Sequence, residues 1–165
     1  PPIGVKKKMS NVKIFVAPFD NPLEGQWTDG ADAVKTFESF YDVEVGVMDS
    51  DASDIINEFS EPDEIEEISL LPTDELAAYR VAVAAELSGD TVAELVEAAQ
   101  DSIMAHAFHA SDLNRSVQDA YADLVDLQEG SIEERYFDWE AYARDIILEN
   151  QEVKTVDGVF LVSYA

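Results

Sequence analysis

Apolar and polar positions along this chain follow two periods, and the switch between them lays out the elements. Over Asn11–Ala17, Val12, Ile14 and Val16 alternate with Lys13, Phe15 and Ala17, the period of a β-strand. Pro18–Gly25 is turn-rich, and Gln26-Trp27-Thr28 reads as a short second strand. Asp29 is placed to cap a helix from about Gly30 to Tyr41, with Val34, Phe37 and Tyr41 on one face. Val43, Val45 and Val47 then alternate again, so the first unit reads β-β-α-β and closes near Asp51.

Ser53–Gln100 reads as helical. Ser53 caps a short turn through Phe59, and Pro62 suits the first position of a helix over PDEIEEISLL. Leu76, Tyr79, Arg80, Val83 and Leu87 define a second helix ending at Ser88-Gly89. Asp90 or Thr91 starts a third, with Val92, Leu95, Val96 and Ala99 inside. Ser102–Phe108 either extends that helix or forms a strand, and a strand is favoured because it leaves Ser111 free to start the next helix. Ser111–Gln128 predicts a long amphipathic helix, capped by Ser111, with Leu113, Val117, Tyr121, Leu124 and Gln128 in its stripe and Gly130 just beyond its end. Trp139, Tyr142 and Ile146 place a helix in the second half of Arg135–Ile146. Asp157-Gly158 between two β-rich runs predicts a hairpin with a type I′ turn. The pattern is a mixed α+β fold in three serial parts: residues 11–51, 52–100 and 101–165, the last carrying a terminal β-hairpin.

Composition adds one large fact. There are 36 acids against 10 lysines and arginines in 165 residues, a net charge of −26. Lys6, Lys7 and Lys8 lie ahead of Met9, in residues 1–10, where PPIGVKKK reads as an appended remnant before the natural start, so the body is more acidic still. The acids are spread evenly through the chain rather than gathered in a tail. Such self-repulsion works against the compact state, which asks for a compensating use or environment. Nucleic acid and anionic membrane are unsuited to this field, whereas a basic protein groove is well suited. The apolar fraction of 47% is that of a folded protein. The absence of cysteine excludes disulfides, thiolate metal sites and a cysteine nucleophile, and fits a reducing cytoplasm. No apolar run is long enough to span a membrane.

Little in the chain points to catalysis. His106 and His109 are the only histidines, and on a strand they point to opposite faces, so no metal site is expected. Phosphate-loop, dinucleotide and nucleophile-elbow patterns are missing. With so many acids, some pair always resembles a general acid and base, so abundance removes specificity. No catalytic residue, cofactor or metal is assigned.

The acids do form rows. Asp63, Glu64, Glu66 and Glu67 crowd the outer side of one predicted helix, Glu94, Glu97 and Asp101 lie along another, and Asp112, Asp119, Asp123 and Asp126 along a third. Neighbours three or four apart on a helix stand about 5–6 Å apart at Cβ. That approximates the spacing of phosphates along one strand of a duplex, which carries about one charge per 1.7 Å of axis. A solvated acidic face is the simpler reading of any single row; recurrence through the chain favours a collective one.

The residues also resemble a known family, the ArdA antirestriction proteins carried by conjugative elements and phages. The likeness runs from about Val12 to Tyr164. Its markers are KIFVA, the GQW and TDG segments, EVGVMDSD, DEIEEISLL with LPTDEL, and YFDWEAYARDI followed by DGVFLVSY. The resemblance implies an elongated, three-part α+β protein of the bacterial cytoplasm. It implies pairing into a curved homodimer that looks like bent duplex DNA, and inhibition of type I restriction-modification enzymes by occupying their DNA groove. Pairing is expected in the C-terminal part, where Tyr136, Phe137, Trp139 and Tyr142, with Phe160 and Tyr164, exceed what a small core needs. Two rival readings compete: an acidic inhibitor of another DNA-binding protein (a transcription factor, nucleoid protein or CRISPR nuclease), and a salt-adapted domain whose charge serves solubility alone.

Overall fold

The computed structural model describes residues 11–164; the reading of residues 1–10 lies outside the described residues. In chain order there is a β-sheet region, a helical middle, and a region combining strands and helices. The mixed α+β expectation holds. By packing, the described residues form two compact units, 11–80 with 89–96 and 81–88 with 97–164.

In the first unit, β1 (Lys13–Pro18) lies between β2 (Gln26–Asp29) and β3 (Val45–Ser50), antiparallel to both. Ile14 and Val16 are fully buried, as the alternation predicts. The helix expected over Gly30–Tyr41 is shorter: a 3-10 turn at Gly30–Asp32 leads into α1 (Ala33–Glu38). Its buried positions are Ala33 and Thr36, while Tyr41 is 84% exposed. A six-residue helix has only one turn and a half to bury, and small residues let it sit close to the strands. Val43 stays outside β3 and exposed. Residues 51–59 form turns rather than helix. Next come α2 (Pro62–Ser69), with Pro62 in its first turn and Ile65 and Ile68 fully buried, and α3 (Thr73–Ala84). Gly30 is buried against α2; a Cβ there would fall 2.0 Å from the Ser69 hydroxyl.

The end of α3 departs from the expected Ser88-Gly89 stop. Leu87 N–H donates to the Ala82 carbonyl at 2.9 Å and Glu86 N–H to Val83 at 3.2 Å. Glu86 itself takes the left-handed conformation, φ 54°. This is a Schellman closure with glutamate in the position glycine usually fills. Val83, placed in the predicted stripe, is exposed, and the buried set is Leu76, Ala78, Tyr79, Val81 and Ala82.

α4 (Val92–Ser102) follows and leads directly into β4 (Ile103–Ala107), the strand favoured by the sequence. In the second unit β6 (Gly158–Val162) is central, paired antiparallel to β4 and to β5 (Gln151–Thr155). α5 (Leu113–Tyr121) and α7 (Trp139–Leu148) supply Leu113, Val117 and Ala143 to a core with Ala105, Ala107, Val159 and Leu161. A short α6 (Ile132–Tyr136), capped by the Ser131 hydroxyl, was not expected. Asp138 caps α7 by accepting the Ala141 N–H at 3.0 Å.

The hairpin is real, but its turn differs from the type I′ expectation. Thr155 pairs with Gly158, so Val156-Asp157 is the loop, and positive φ falls on Gly158 alone, at 124°. One left-handed glycine at the start of β6 does the work assigned to two residues.

Candidate functional site

The residues expected to carry function are carboxylates on helices, and the structure sorts them by what each is tied to. On α2, Asp63, Glu64 and Glu67 are exposed. Glu66 is not part of that outward set. It is half-buried, and its Oε1 accepts the Val34 N–H at 2.8 Å, satisfying an orphan donor at the start of α1. With Ile65 and Ile68 inward, a helix of 3.6 residues per turn brings Glu66 to the flank of the buried stripe. Glu64 and Glu67 lie close enough to α3 to act on Tyr79. Burial pushes that phenol above its ordinary range, and the two carboxylates push it further.

On α4, Glu97 and Asp101 are exposed, whereas Glu94 is also a structural residue. Thr91 Oγ1 accepts the Glu94 N–H at 3.1 Å, and Glu94 Oε2 accepts the Asp90 N–H at 2.7 Å. The pair departs from a capping box by one residue: the Thr91 hydroxyl caps the helix as in T-x-x-E, but Glu94 reaches the N–H of Asp90, just before the cap. Asp101 stands in the last turn of α4, which has no basic residue. A carboxylate there faces the negative end of the helix and costs rather than stabilises.

The third row is corrected. α5 ends at Tyr121, so Asp112, Asp119, Asp123 and Asp126 do not share one helix face. Asp112 directly precedes α5 and Asp119 is on it, while Asp123 lies in the turn that follows and Asp126 in irregular chain beyond it; all four are exposed. Ser111 sits within the 3-10 turn Ala110–Asp112 and does not cap α5. The helix stops because its core partners stop: Leu113 and Val117 are buried, Tyr121 meets Tyr142 edge-on at 6.3 Å, and Leu124 is 72% exposed. Continuing would also stack Asp119, Asp123 and Asp126 at repulsive spacings. Arg115 pairs with Asp119 at 3.4 Å, but both are exposed, so the pair contributes little.

The aromatic set also divides. Phe137, Trp139 and Tyr142 pack on one another, with centroids 4.6 Å apart for Phe137–Trp139 and 5.5 Å for Phe137–Tyr142. Tyr136 is 76% exposed and stands outside this cluster. Tyr121, not counted with the group from sequence, completes it.

His106 and His109 do not converge. His106 Nε2 donates to the Asp157 carbonyl at 2.8 Å and its ring stacks on Phe160 at 4.2 Å. His109 is exposed beyond the strand. Among the described residues no three histidine or carboxylate side chains are grouped to hold a metal ion. An open cleft of about 290 Å³ beside β3 offers Asp49 and Glu58 among Val47, Met48, Ser50 and Ile56, with no basic residue.

The whole therefore presents charge on a small α+β scaffold, and the exposed acids of α2, α4 and the segments around α5 are joined by others on most elements, Asp20, Asp49 and Asp74 among them. The sequence model of the antirestriction protein (ArdA) family matches residues 22–161, and the chain belongs to that family. Its members are non-enzymatic DNA mimics, so this chain has a general DNA-mimic antirestriction role and is not an enzyme. No match is found among curated proteins. No helix of the described residues is long and apolar enough to cross a membrane.

Proposed function

We propose that this protein occupies the DNA-binding groove of a type I restriction-modification enzyme, with exposed carboxylates standing in for phosphates. The observation that carries the reading is the placement of acids where the scaffold gains nothing from them. Asp101 is against its helix dipole, and Asp123 and Asp126 are on the irregular segment after α5. Glu66 and Glu94 serve the fold first, so the collective surface rests on Asp63, Glu64, Glu67, Glu97, Asp101, Asp112, Asp119, Asp123 and Asp126. In this reading the protein acts as a homodimer paired through the Phe137–Trp139–Tyr142 cluster and exposed Tyr136, in the bacterial cytoplasm where its target works.

A basic groove exchanges its counterions for these carboxylates as it does for phosphate, so binding is fast, steered and salt-sensitive. The test is displacement of labelled duplex DNA from a type I methyltransferase core at two salt concentrations. Displacement that weakens with salt is expected; none at low salt, from protein shown to be folded, defeats the reading. The same titration against a repressor or a CRISPR nuclease tests the rival targets. Light scattering checks pairing: a dimer mass is expected, reduced towards monomer by Trp139→Ala.

A further inference from the structure

The sheet of the first unit has a second face that the carboxylate reading leaves unused. Ile14, Val16 and Val47 point one way and are buried; on that side Thr36 of α1 bonds to Thr28 at 3.2 Å. On the other side the register sets Phe15 directly across from Trp27 on β2 and from Asp49 on β3. Phe15 and Trp27 are in contact, centroids 5.4 Å apart and tilted by 50°. Two glycines floor this face. A Cβ on Gly25 would fall 2.4 Å from the Phe15 ring, and one on Gly46 would fall 2.6 Å from the Phe19 ring. The far ends of the two rings therefore rest against backbone that carries no side chain. Even so, Trp27 remains 57% exposed and Phe19 48%. A large aromatic surface left in water on a short edge strand is costly, and stability does not account for it.

Its surroundings indicate what covers it. One row along the same face, Lys13 pairs with Asp29. Asp49 is exposed beside Phe15, and Asp20, Glu24 and Glu44 are exposed in the adjoining loops. An aliphatic partner would satisfy the rings and strand the acids. A guanidinium satisfies both, since it stacks on an aromatic face while its N–H groups reach carboxylates. We propose that this face is a second contact for the same partner, with Trp27 and Phe15 receiving an arginine side chain from the basic wall of its DNA-binding groove. The inference rests on the groove-occupying reading and adds to it a contact that is not phosphate mimicry.

The test is the displacement titration on the type I methyltransferase core, comparing wild type, Trp27→Ala, Trp27→Leu, Trp27→Phe and a triple variant of Asp63→Asn, Glu64→Gln and Glu67→Gln. Thermal melts confirm that each is folded. Removing the π face should weaken displacement about 3- to 10-fold in both Trp27→Ala and Trp27→Leu, with the salt slope unchanged. Trp27→Phe should stay within about twofold. The triple variant should instead flatten the salt slope. Trp27→Ala or Trp27→Leu acting like wild type overturns the arginine contact while the groove reading stands. Wild type that displaces no DNA overturns the groove reading itself.

Discussion

At the scale of single residues, Gly158 and Tyr79 show how tightly backbone and charge are tied down. Gly158 holds φ 124°, and a Cβ there would meet the Ala107 carbonyl at 2.4 Å and His106 Nε2 at 2.9 Å. Gly158→Ala therefore combines backbone strain with overpacking, and should cost about 2 kcal/mol or more. Chemical denaturation should show the loss as a lower midpoint at unchanged slope. Tyr79 predicts an alkaline effect. Its folded pKa is raised, first by burial and then by Glu64 and Glu67. The folded state thus holds the phenolic proton more tightly than the unfolded chain does. This contribution is fully present below the unfolded value of about 10 and is lost as pH rises through the folded value. Stability should fall more steeply above about pH 10 in wild type than in Tyr79→Phe, measured by denaturant unfolding at a series of alkaline pH values.

At the scale of elements, Glu66 shows that a charge row read from sequence can hold two kinds of residue. Its bond to the Val34 N–H ties α2 to α1. Glu66→Ala should cost about 1 kcal/mol, in the range of a lost helix cap. Glu66→Gln keeps an acceptor and should recover most of the stability. Because its role is structural, Glu66→Gln should also disturb DNA displacement less than Glu64→Gln. Equal losses in the two variants would return Glu66 to the outward set. The strands were legible because alternation of Val12, Ile14 and Val16 states which face is buried. The helices around Pro62, Val92 and Trp139 were legible because each has a starter residue and an inward stripe. Where the sequence misled, over Gly30–Tyr41 and Ser111–Gln128, helical spacing continued past the point where there was anything to pack against: Tyr41 and Leu124 fit the pattern and are exposed. Glu86 closing α3 carried no signal, because an ordinary residue adopts a glycine conformation there. Among the carboxylates, the spacing of Glu94 from Thr91 marked a cap, but nothing in the spacing of Glu66 showed that it would turn towards α1.

At the scale of the whole molecule, the charge of −26 sets two responses to salt with opposite signs. Like charges distributed over the scaffold repel, and the compact state suffers more than the expanded chain. The Debye length falls from about 30 Å at 0.01 M to about 8 Å at 0.15 M and about 3 Å at 1 M. Added sodium chloride therefore relieves repulsion between separate carboxylate groups first, and the thermal midpoint should climb steeply at low ionic strength and then level off. Attraction to a basic groove is screened over the same range, so DNA displacement should weaken while stability grows. The buried residues of the first unit, Ile14, Ile65 and Ile68 among them, and the core around Val117 and Leu161 hold the fold against this repulsion without help from salt. The protein should thus be folded, and most inhibitory, in dilute buffer. A salt-adapted domain behaves in the opposite way, unfolding as salt is withdrawn. Circular dichroism melts from 0.01 to 1 M sodium chloride, run beside the displacement titration, separate the two. Loss of the folded signal at 0.01 M would favour salt adaptation, whereas a folded protein whose inhibition declines as its midpoint rises is what a charge mimic requires.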